Sequence, residues 1–446
     1  MAEANGCLGC VSGLNHESRV RRSRSALPFA MFTIPLLTPP LALFHVLGVS
    51  LAGWLSVVAF CWASLYAVPS LERGVEPDLW PILLFFGWVM TTLFIHVPSS
   101  EGVQNVVAMG TFVALTTIAC RRPFSSAAFA ERLLQTWARI GIATGLLYLG
   151  AIFAEGPGAD ATIFALGARA FAIFALFANG CFLAKWKAGS RRALAGALFN
   201  YALIAASLSR MAFVVGTLQL LVVAIGSVPK RARFLYGAAM MGFALVCLLG
   251  AVFYFRPFAA RMAGAGELLR ALVSPTPDAL LSENGIMSGR AVFWLTTWLS
   301  YKRSPWIGLG AGSAGQAMVR DFGSQIGHPH SDFLRVLHDF GAIGLMLFLA
   351  GVFGIFRGLW RRLRVAAPGV RLTLLQAAVL SFGAVVLTML TDNTLVYVYV
   401  MAPLGVVLGV ALSEPCRGVA RKVRGFSGRR AGARLGTAGF ALRQVR

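Results

Sequence analysis

The sequence predicts an all-α fold in which about twelve helices cross a membrane and one large loop carries short helices. Three observations support this fold class. Hydrophobic residues make up 57% of the chain and charged residues only 13%, with a mean hydropathy of +0.73, which excludes a soluble packing. Apolar runs of roughly 18 to 25 residues recur, and each is long enough to cross a hydrocarbon core as a helix. The basic residues gather in alternate connections between these runs.

The predicted spans begin and end where the apolar runs are broken. The first span is the most interrupted, because Pro35, Pro39 and Pro40 fall inside it and a tight turn around Gly48 follows. The predicted spans cover residues 28–46, 49–68, 79–97, 103–120, 138–155, 161–184, 193–209, 211–228, 234–255, 337–356, 372–390 and 395–412. Only one connection between them is long, and it separates the ninth span from the tenth.

These spans divide the chain into five segments. They are a basic N-terminal segment 1–27, helices one to nine in 28–255, a large outer loop 256–336, helices ten to twelve in 337–412 and a basic tail 413–446. Lys and Arg are enriched in the cytoplasmic connections of membrane proteins, so both termini are predicted to be cytoplasmic. The short outer turns hold acidic residues instead: Glu101, Glu155, Asp160 and Asp392. An odd number of spans would place the basic tail outside, so charge and helix count agree.

This topology accounts for the net charge of +23. Basic residues at the cytoplasmic leaflet are attracted to anionic lipids, so we expect membrane lipids as their partners and no nucleic acid. The seven cysteines are scattered and none lies in a predicted outer loop, which indicates no disulfide framework. Cys7 and Cys10 form a single CxxC without a second pair, so neither a metal nor another cofactor is predicted.

The loop predicted at 256–336 is the first place to look for function, since long loops often carry it. Its cationic residues are Arg256, Arg261, Arg270, Arg290, Lys302, Arg303, Arg320 and Arg335. Arg290 begins an amphipathic segment containing Trp294 and Trp298, which are suited to the membrane interface. Its guanidinium either reaches toward lipid phosphates or binds an anionic ligand, and composition alone favours the first.

A glycine-rich run follows in the same loop. Gly308, Gly310, Gly312 and Gly315 would let backbone amides approach a phosphate. The same spacing also makes an ordinary turn, and that is the favoured interpretation.

Two histidines, His328 and His330, stand two residues apart at the entrance of the tenth span. A metal site lacks an obvious third ligand here. A proton-transfer role is favoured, because an imidazole with an unperturbed pKa of about 6.5 can take a proton from a hydroxyl group. Either Ser331 or Asp332 can cap the helix that follows.

Two more arginines lie at or within predicted spans. Arg210 falls at the outer end between the seventh and eighth spans, and Arg169 lies in the sixth. Ionisable groups at membrane depth are costly and usually face a cavity or a partner, which makes both functional candidates. The chain contains no Walker lysine motif, no GxSxG and no Asp-x-Asp. A phosphorylated substrate would therefore be neutralised by arginine, whose planar fork binds two phosphate oxygens.

Three runs in the loop and one step before it form a recognisable set. They are Ser209-Arg210, Ser288-Gly289-Arg290 with Trp294, Ser304-Pro305-Trp306-Ile307-Gly308-Leu309-Gly310, and His328-Pro329-His330-Ser331-Asp332-Phe333-Leu334 with Gly341-Ala342-Ile343-Gly344. This set resembles the signature region of the O-antigen ligase and O-antigen polymerase superfamily, over about residues 207–412. Relatives often carry Asn where Ser331 stands, and both side chains can cap a helix.

The resemblance implies a glycosyltransferase of the bacterial inner membrane. It would take an undecaprenyl-diphosphate-linked glycan as donor at the periplasmic face and need neither a metal nor a cofactor. Carried over by position, Arg210 and Arg290 would bind the diphosphate and stabilise its charge as it leaves, while His330 would activate the acceptor hydroxyl. His328 and Arg169 would contribute to substrate binding, although neither has a clear counterpart in the family.

Several functions remain open within and outside this family. A ligase would transfer the glycan to lipid A core, and this reading ranks first. A polymerase would extend a growing lipopolysaccharide or exopolysaccharide chain, and the sequence barely separates the two. A protein-glycosylating relative ranks third, because such relatives often carry an additional C-terminal domain. A secondary transporter is the main alternative from another class, although no internal repeat is evident and the candidate residues lie near the outer face. A binding or assembly scaffold without chemistry comes last.

Overall fold

The computed structural model describes residues 33–41, 44–46, 49–71, 75–97, 99–121, 124–155, 162–163, 166–226, 290–323 and 327–413. Its helices are α1 Ile34–Leu41, α2 Leu51–Leu71, α3 Trp80–Ile95, α4 Ser100–Ala119, α5 Ala127–Glu155, α6 Ala168–Lys187, α7 Arg191–Ala206, α8 Arg210–Gly226, α9 Arg290–Tyr301, α10 Ser313–Phe322, α11 Asp332–Val365, α12 Val370–Thr388 and α13 Val398–Leu412. Two-residue strands form two antiparallel pairs: β1 His45–Val46 with β2 Val49–Ser50, and β3 Thr162–Ile163 with β4 Leu166–Gly167. Short 3-10 turns lie at Pro77–Leu79 and Thr394–Val396.

Seven of the described helices are long and apolar enough to cross a membrane, namely α2 to α6, α11 and α12. The apolar helices α8 and α13 are shorter, at 17 and 15 residues. The predicted all-α, multi-pass membrane fold is therefore confirmed. The count of about twelve spans and the large periplasmic loop stay predictions, since the predicted ninth span 234–255 and loop residues 256–289 lie outside the described residues.

Several helix ends differ from the predicted ones, including the start of α5 at Ala127 instead of residue 138 and the end of α11 at Val365 instead of residue 356. Within the described part of the first span, 28–46, the helix covers only Ile34–Leu41 and the β1–β2 hairpin follows. The β3–β4 pair precedes α6, which begins at Ala168 rather than at residue 161. The tenth span begins at Asp332, so residues 332–336, which were assigned to the loop, belong to the helix. Turn-forming and capping residues decide these ends, and hydropathy does not register them.

The centre of the molecule is built on α4, α6 and α13, whose side chains are almost all buried. Helices α4 and α13 approach closely at Gly405 and Gly409. A Cβ atom at either glycine would press against a backbone carbonyl of α4, that of Phe112 or of Thr116. Contact through small residues is typical of helix packing in membranes, where close backbone approach replaces the hydrophobic driving force.

One end of α11 is held by a cluster of charges. The carboxylate of Asp78 is fully buried and accepts hydrogen bonds from Arg357 at 3.1 Å, Arg361 at 2.6 Å and Arg362 at 3.3 Å. Arg362 also donates to Glu76. Glu76 and Asp78 therefore neutralise the basic end of α11, which the charge pattern predicts to face the cytoplasm.

A kink at Gly341 divides α11 near its other end. Gly341 has a φ of 70° and a ψ of −174°, which interrupts the helical hydrogen bonds. The Phe340 carbonyl accepts a hydrogen bond from the Trp88 indole at 2.9 Å, and the Ala342 amide donates to the Pro305 carbonyl at 2.8 Å. Because these backbone groups are satisfied by α3 and by the loop, the kink is a built part of the fold.

Replacing Gly341 with alanine should destabilise the protein. The left-handed φ is unfavourable for alanine, at about 1–3 kcal/mol, and the new Cβ would overlap the Trp306 carbonyl. We expect a lower unfolding temperature for the purified variant in detergent. Gly150→Ala in α5 is the matched control, because nothing lies within 4 Å of an added Cβ there and alanine favours a helix. Equal unfolding temperatures for the two variants would contradict this account of the kink.

Candidate anion-binding site

Hydrogen bonds fix the start of α11 at two neighbouring residues, Ser331 and Asp332. Ser331 caps the helix, its hydroxyl accepting a hydrogen bond from the Leu334 amide at 3.5 Å. The neighbouring Asp332 has a different role. Its amide donates to the Met389 carbonyl and its carboxylate accepts from the Leu395 amide, both at 2.9 Å. Of the two predicted caps, Ser331 is therefore the cap, and Asp332 joins α11 to the turn between α12 and α13.

His330 lies at the turn just before this cap. Its φ of 53° is in the left-handed region, which is uncommon for a residue other than glycine and costs free energy. The half-buried ring faces Phe293 of α9, with 6.3 Å between ring centroids. Its Nδ1 atom lies 3.4 Å from Nδ2 of Asn393, in the α12–α13 turn. Strain of this kind persists only where the surroundings enforce it, and it is concentrated at functional sites.

The surroundings also lower the pKa of His330 from its usual value near 6.5 to about 3. Burial is the largest cause, followed by the charges of Arg290, Arg169, His328 and Arg335. His330 is consequently neutral at neutral pH and a weak base in the free protein. A bound anion would offset the arginine charges and raise the pKa of His330, so the predicted proton-transfer role stays a prediction.

His328 belongs to a second set of contacts on the same segment. Its Nδ1 lies 3.0 Å from Nη2 of Arg335 and 2.9 Å from a carboxylate oxygen of Glu101 at the start of α4. The Arg335 side chain is only 1% exposed, and its Nη1 lies 3.6 Å from the Asp332 carboxylate. Arg335 thus lies between the His328 imidazole and the buried Asp332 carboxylate.

The predicted arginines come from separate elements and gather around Arg290, which lies near His330. Arg290 is the first residue of α9, Arg210 the first of α8, and Arg169 the exposed second residue of α6. Burial lowers the pKa of Arg290, as do the charges of Arg169 and Arg210, whereas Asp392 raises it. Such mutual effects require the groups to be close together. Arg169, predicted to lie within a span, is instead at its end, where the guanidinium can reach this cluster.

The glycine-rich run has a structural role. The amides of Leu309 and Gly310 donate to the carbonyls of His338 and Asp339 at 3.0 and 2.9 Å. Gly308 has a φ of 87°, and a Cβ there would overlap the Asp339 carbonyl. The run is therefore the ordinary turn that the sequence favoured, and its amides dock on the kinked end of α11 instead of cradling a phosphate.

The Asp339 side chain completes this docking. One carboxylate oxygen accepts from the Gly312 amide at 2.9 Å, and the other accepts from the Ala314 amide at 2.8 Å and the Ser313 hydroxyl at 2.9 Å. Nδ1 of the buried His338 lies 3.0 Å from the same hydroxyl. The carboxylate thus caps α10 from another helix and places α10 beside the segment that carries His328 and His330.

A guanidinium cluster of this kind can bind a multiply charged anion. Arg169, Arg210 and Arg290 come from three helices, so an anion between them would be held from several directions. Asp392 offsets part of their repulsion in the free protein. Planar guanidinium groups suit phosphate oxygens, which they bind in pairs.

Sequence reasoning brought together His330, Arg210 and Arg290 as main candidates and His328 and Arg169 as secondary ones, and the structure places all five in one region. It missed the groups that position them. These are Glu101, Arg335, Asp339, Asp392 and Asn393. Glu101 and Asp392 were assigned only to outer turns. That shared assignment was the one signal that could have placed them beside the loop.

Exposed apolar side chains flank the site on α9 and the turn after it. Leu295, Trp298 and Leu299 are 48%, 44% and 53% exposed, and Trp306 is 65% exposed. Indole rings favour the boundary between headgroups and hydrocarbon. The cluster of arginines would then lie at the level of lipid headgroups.

These features define a class of protein: a helical multi-pass membrane protein with arginines and histidines gathered at one end of its helices. Residues 193–349 match the family model described as O-antigen ligase. The match confirms the predicted resemblance to the O-antigen ligase and polymerase superfamily, and it is consistent with a role in membrane polysaccharide biosynthesis and with glycosyltransferase-type activity. The matched region contains Arg210, Arg290, His328 and His330, whereas Arg169 lies outside it. A search of curated proteins found no match.

Proposed function

We propose that this protein is an O-antigen ligase of the bacterial inner membrane. It transfers a glycan from undecaprenyl diphosphate to a hydroxyl of lipid A core at the periplasmic face, without a metal. The observation that carries this proposal is that Arg290 lies near His330, Arg169 and Arg210, and that Arg210, Arg290 and His330 fall within the matched region 193–349. A polymerase that extends a growing glycan is the second candidate, because the family match covers both activities.

The reaction requires positive charge near the leaving diphosphate. When the bond between the sugar and the diphosphate breaks, its electron pair moves onto a phosphate oxygen and the leaving group gains negative charge. Guanidinium groups held in place beforehand stabilise that charge more in the transition state than in the ground state. Arg210 and Arg290 are assigned this role, and Arg169 contributes charge from the rim, where it is more exposed.

The histidines are assigned to the acceptor side and to the support of the site. His330 contacts the acceptor hydroxyl or the diphosphate, because it faces the arginines and is half-buried. His328 binds Arg335 and lies against Glu101, so it orients this segment. A lipid-linked donor is compatible with the exposed Trp298 and Trp306 beside the site, since its polyprenyl chain stays in the bilayer while its diphosphate lies at headgroup level.

The test is the glycan profile of cells that lack the protein, complemented with wild type or His330→Asn at matched membrane levels. Asparagine tolerates a left-handed φ better than most residues, so this variant keeps the turn and removes the imidazole. A ligase predicts long polyprenyl-linked chains with bare core in the deletion strain and in the variant. Arg320→Ala, which changes an exposed arginine away from the site, should restore the wild-type profile.

Other outcomes separate the alternatives. A single repeat unit on the core, or loss of secreted polymer, would assign polymerase activity. A deletion strain with an unchanged profile would refute both proposals and favour a secondary transporter. Accumulated donor that still binds the purified protein without turnover would favour a scaffold.

A further inference from the structure

We propose that Asn393 is a positioning residue that holds His330 in the tautomer with its proton on Nε2. His330 then presents a hydrogen-bond donor to the substrate instead of a base. The second statement rests on the proposed function, whereas the first concerns the free protein alone.

The geometry places an amide nitrogen against one ring nitrogen. Nδ2 of Asn393 lies 3.4 Å from Nδ1 of His330. In this orientation of the amide the NH₂ group can only donate, and a hydrogen bond from it to Nδ1 requires a lone pair on Nδ1. In a neutral imidazole the proton then resides on Nε2, since the hydrogen bond at one nitrogen determines the state of the other.

Asn393 is suited to this role because its own position is fixed. The side chain is 1% exposed, and its backbone amide donates to the Asp392 carboxylate at 2.8 Å. Two residues further on, the Leu395 amide donates to Asp332 at 2.9 Å. The turn that carries Asn393 is therefore bonded to the first residue of the helix that begins immediately after His330 and its cap.

The charged groups around His330 favour a neutral ring. Arg290 faces it from α9 and Arg169 from α6, while His328 and Arg335 belong to its own segment and to α11. All four are basic, and burial adds to their effect by lowering the pKa of His330 to about 3. A carboxylate or carbonyl at Nδ1 would favour the imidazolium. The amide donor at Nδ1 favours the neutral ring instead.

The chemical consequence concerns how the histidine acts. A ring with a proton on Nε2 and a donor at Nδ1 cannot accept the hydroxyl proton through Nε2. It can donate a hydrogen bond to a phosphate oxygen, beside the arginines that bind the same group. His330 would then strengthen diphosphate binding and stabilise the leaving group.

The experiment is nitrogen NMR of the full-length protein in detergent, labelled with ¹⁵N in the histidine rings. The chain has six histidines, and His330→Asn identifies the His330 signals by their loss. We expect wild-type His330 to show an unprotonated Nδ1 and a protonated Nε2 from pH 8 down to pH 5. In Asn393→Asp, the carboxylate accepts a proton at Nδ1, so the tautomer should switch and the pKa of His330 should rise by at least one unit.

A second variant and an activity measurement keep the test sharp. Asn393→Ala removes the donor without adding an acceptor, so both tautomers should appear, and this result does not depend on the aspartate variant folding. A protonated Nδ1 in wild type, or wild-type tautomer populations in Asn393→Ala, would overturn the role of Asn393. The NMR result needs no substrate, so it stands apart from failure of the proposed function in the glycan profile. A pH profile of transfer by wild type that depends on a group titrating with the pKa of His330 would overturn the donor role.

Discussion

Replacing Arg290 with alanine is expected to slow glycan transfer by about a hundred- to a thousand-fold, the usual effect of removing one preorganised group that stabilises developing charge. The guanidinium lies among the charges of Arg169, Arg210 and Asp392, close to His330. Initial rates with purified lipid-linked donor and acceptor in proteoliposomes would measure the effect. We expect the loss mainly in kcat, because the interaction strengthens as the diphosphate leaves.

The fold should survive this substitution. In the free protein the charge of Arg290 is disfavoured by burial and by the other arginines, which is why its pKa is lowered. Alanine relieves that repulsion, so the unfolding temperature should stay equal or rise, as is common when a strained functional residue is removed. Arg290→Lys keeps the charge and loses the fork, and an intermediate rate is expected.

Arg303→Ala is the control for Arg290→Ala. Arg303 is exposed in the turn after α9 and therefore tests the effect of removing a loop charge away from the cluster. It should transfer glycan at the wild-type rate. If Arg290→Ala retained more than about a tenth of that rate at matched stability, the assignment of Arg290 to the leaving group would be wrong.

The sequence could predict the helices because each must bury or expose a continuous apolar surface in the membrane. The run at 372–390 corresponds to α12 at Val370–Thr388, and the run at 103–120 to α4 at Ser100–Ala119. The first span shows where hydropathy is insufficient, since apolar residues continue past Leu41 into a hairpin. The kink at Gly341 was equally invisible, because its backbone groups are satisfied by residues far away in the chain.

The candidate site was predictable in its residue types but not in its contacts. Arginine near a predicted membrane surface and histidine at a helix entrance stand out by chemistry, and the family resemblance then assigned site roles to Arg210, Arg290 and His330. Asn393 and Arg335 have nothing unusual in their local sequence. Their roles depend on the turn between α12 and α13 lying against the start of α11, a long-range contact that periodicity does not encode.

Replacing Asp339 with alanine is expected to lower the free energy of unfolding by about 3–5 kcal/mol. Its buried carboxylate accepts two backbone amides and one hydroxyl from the segment Gly312–Ala314, and all three donors would lose their acceptor together. Unfolding in detergent by heat or denaturant would measure the change. The side-chain amide introduced by Asp339→Asn can accept at only one of the two oxygen positions, so this variant should lose roughly half as much stability.

Asp321→Ala is the control for Asp339→Ala, because it also removes a carboxylate. Asp321 lies in α10 and forms a surface ion pair with its exposed neighbour Arg320. It should unfold like wild type, since surface ion pairs contribute little. If Asp339→Ala unfolded at the same temperature as Asp321→Ala, the carboxylate would not be what holds the glycine-rich turn on α11. Transfer should fall together with stability in Asp339→Ala, whereas Arg290→Ala loses transfer alone. That contrast separates a residue that supports the fold from Arg290, the residue that we propose to contact the substrate.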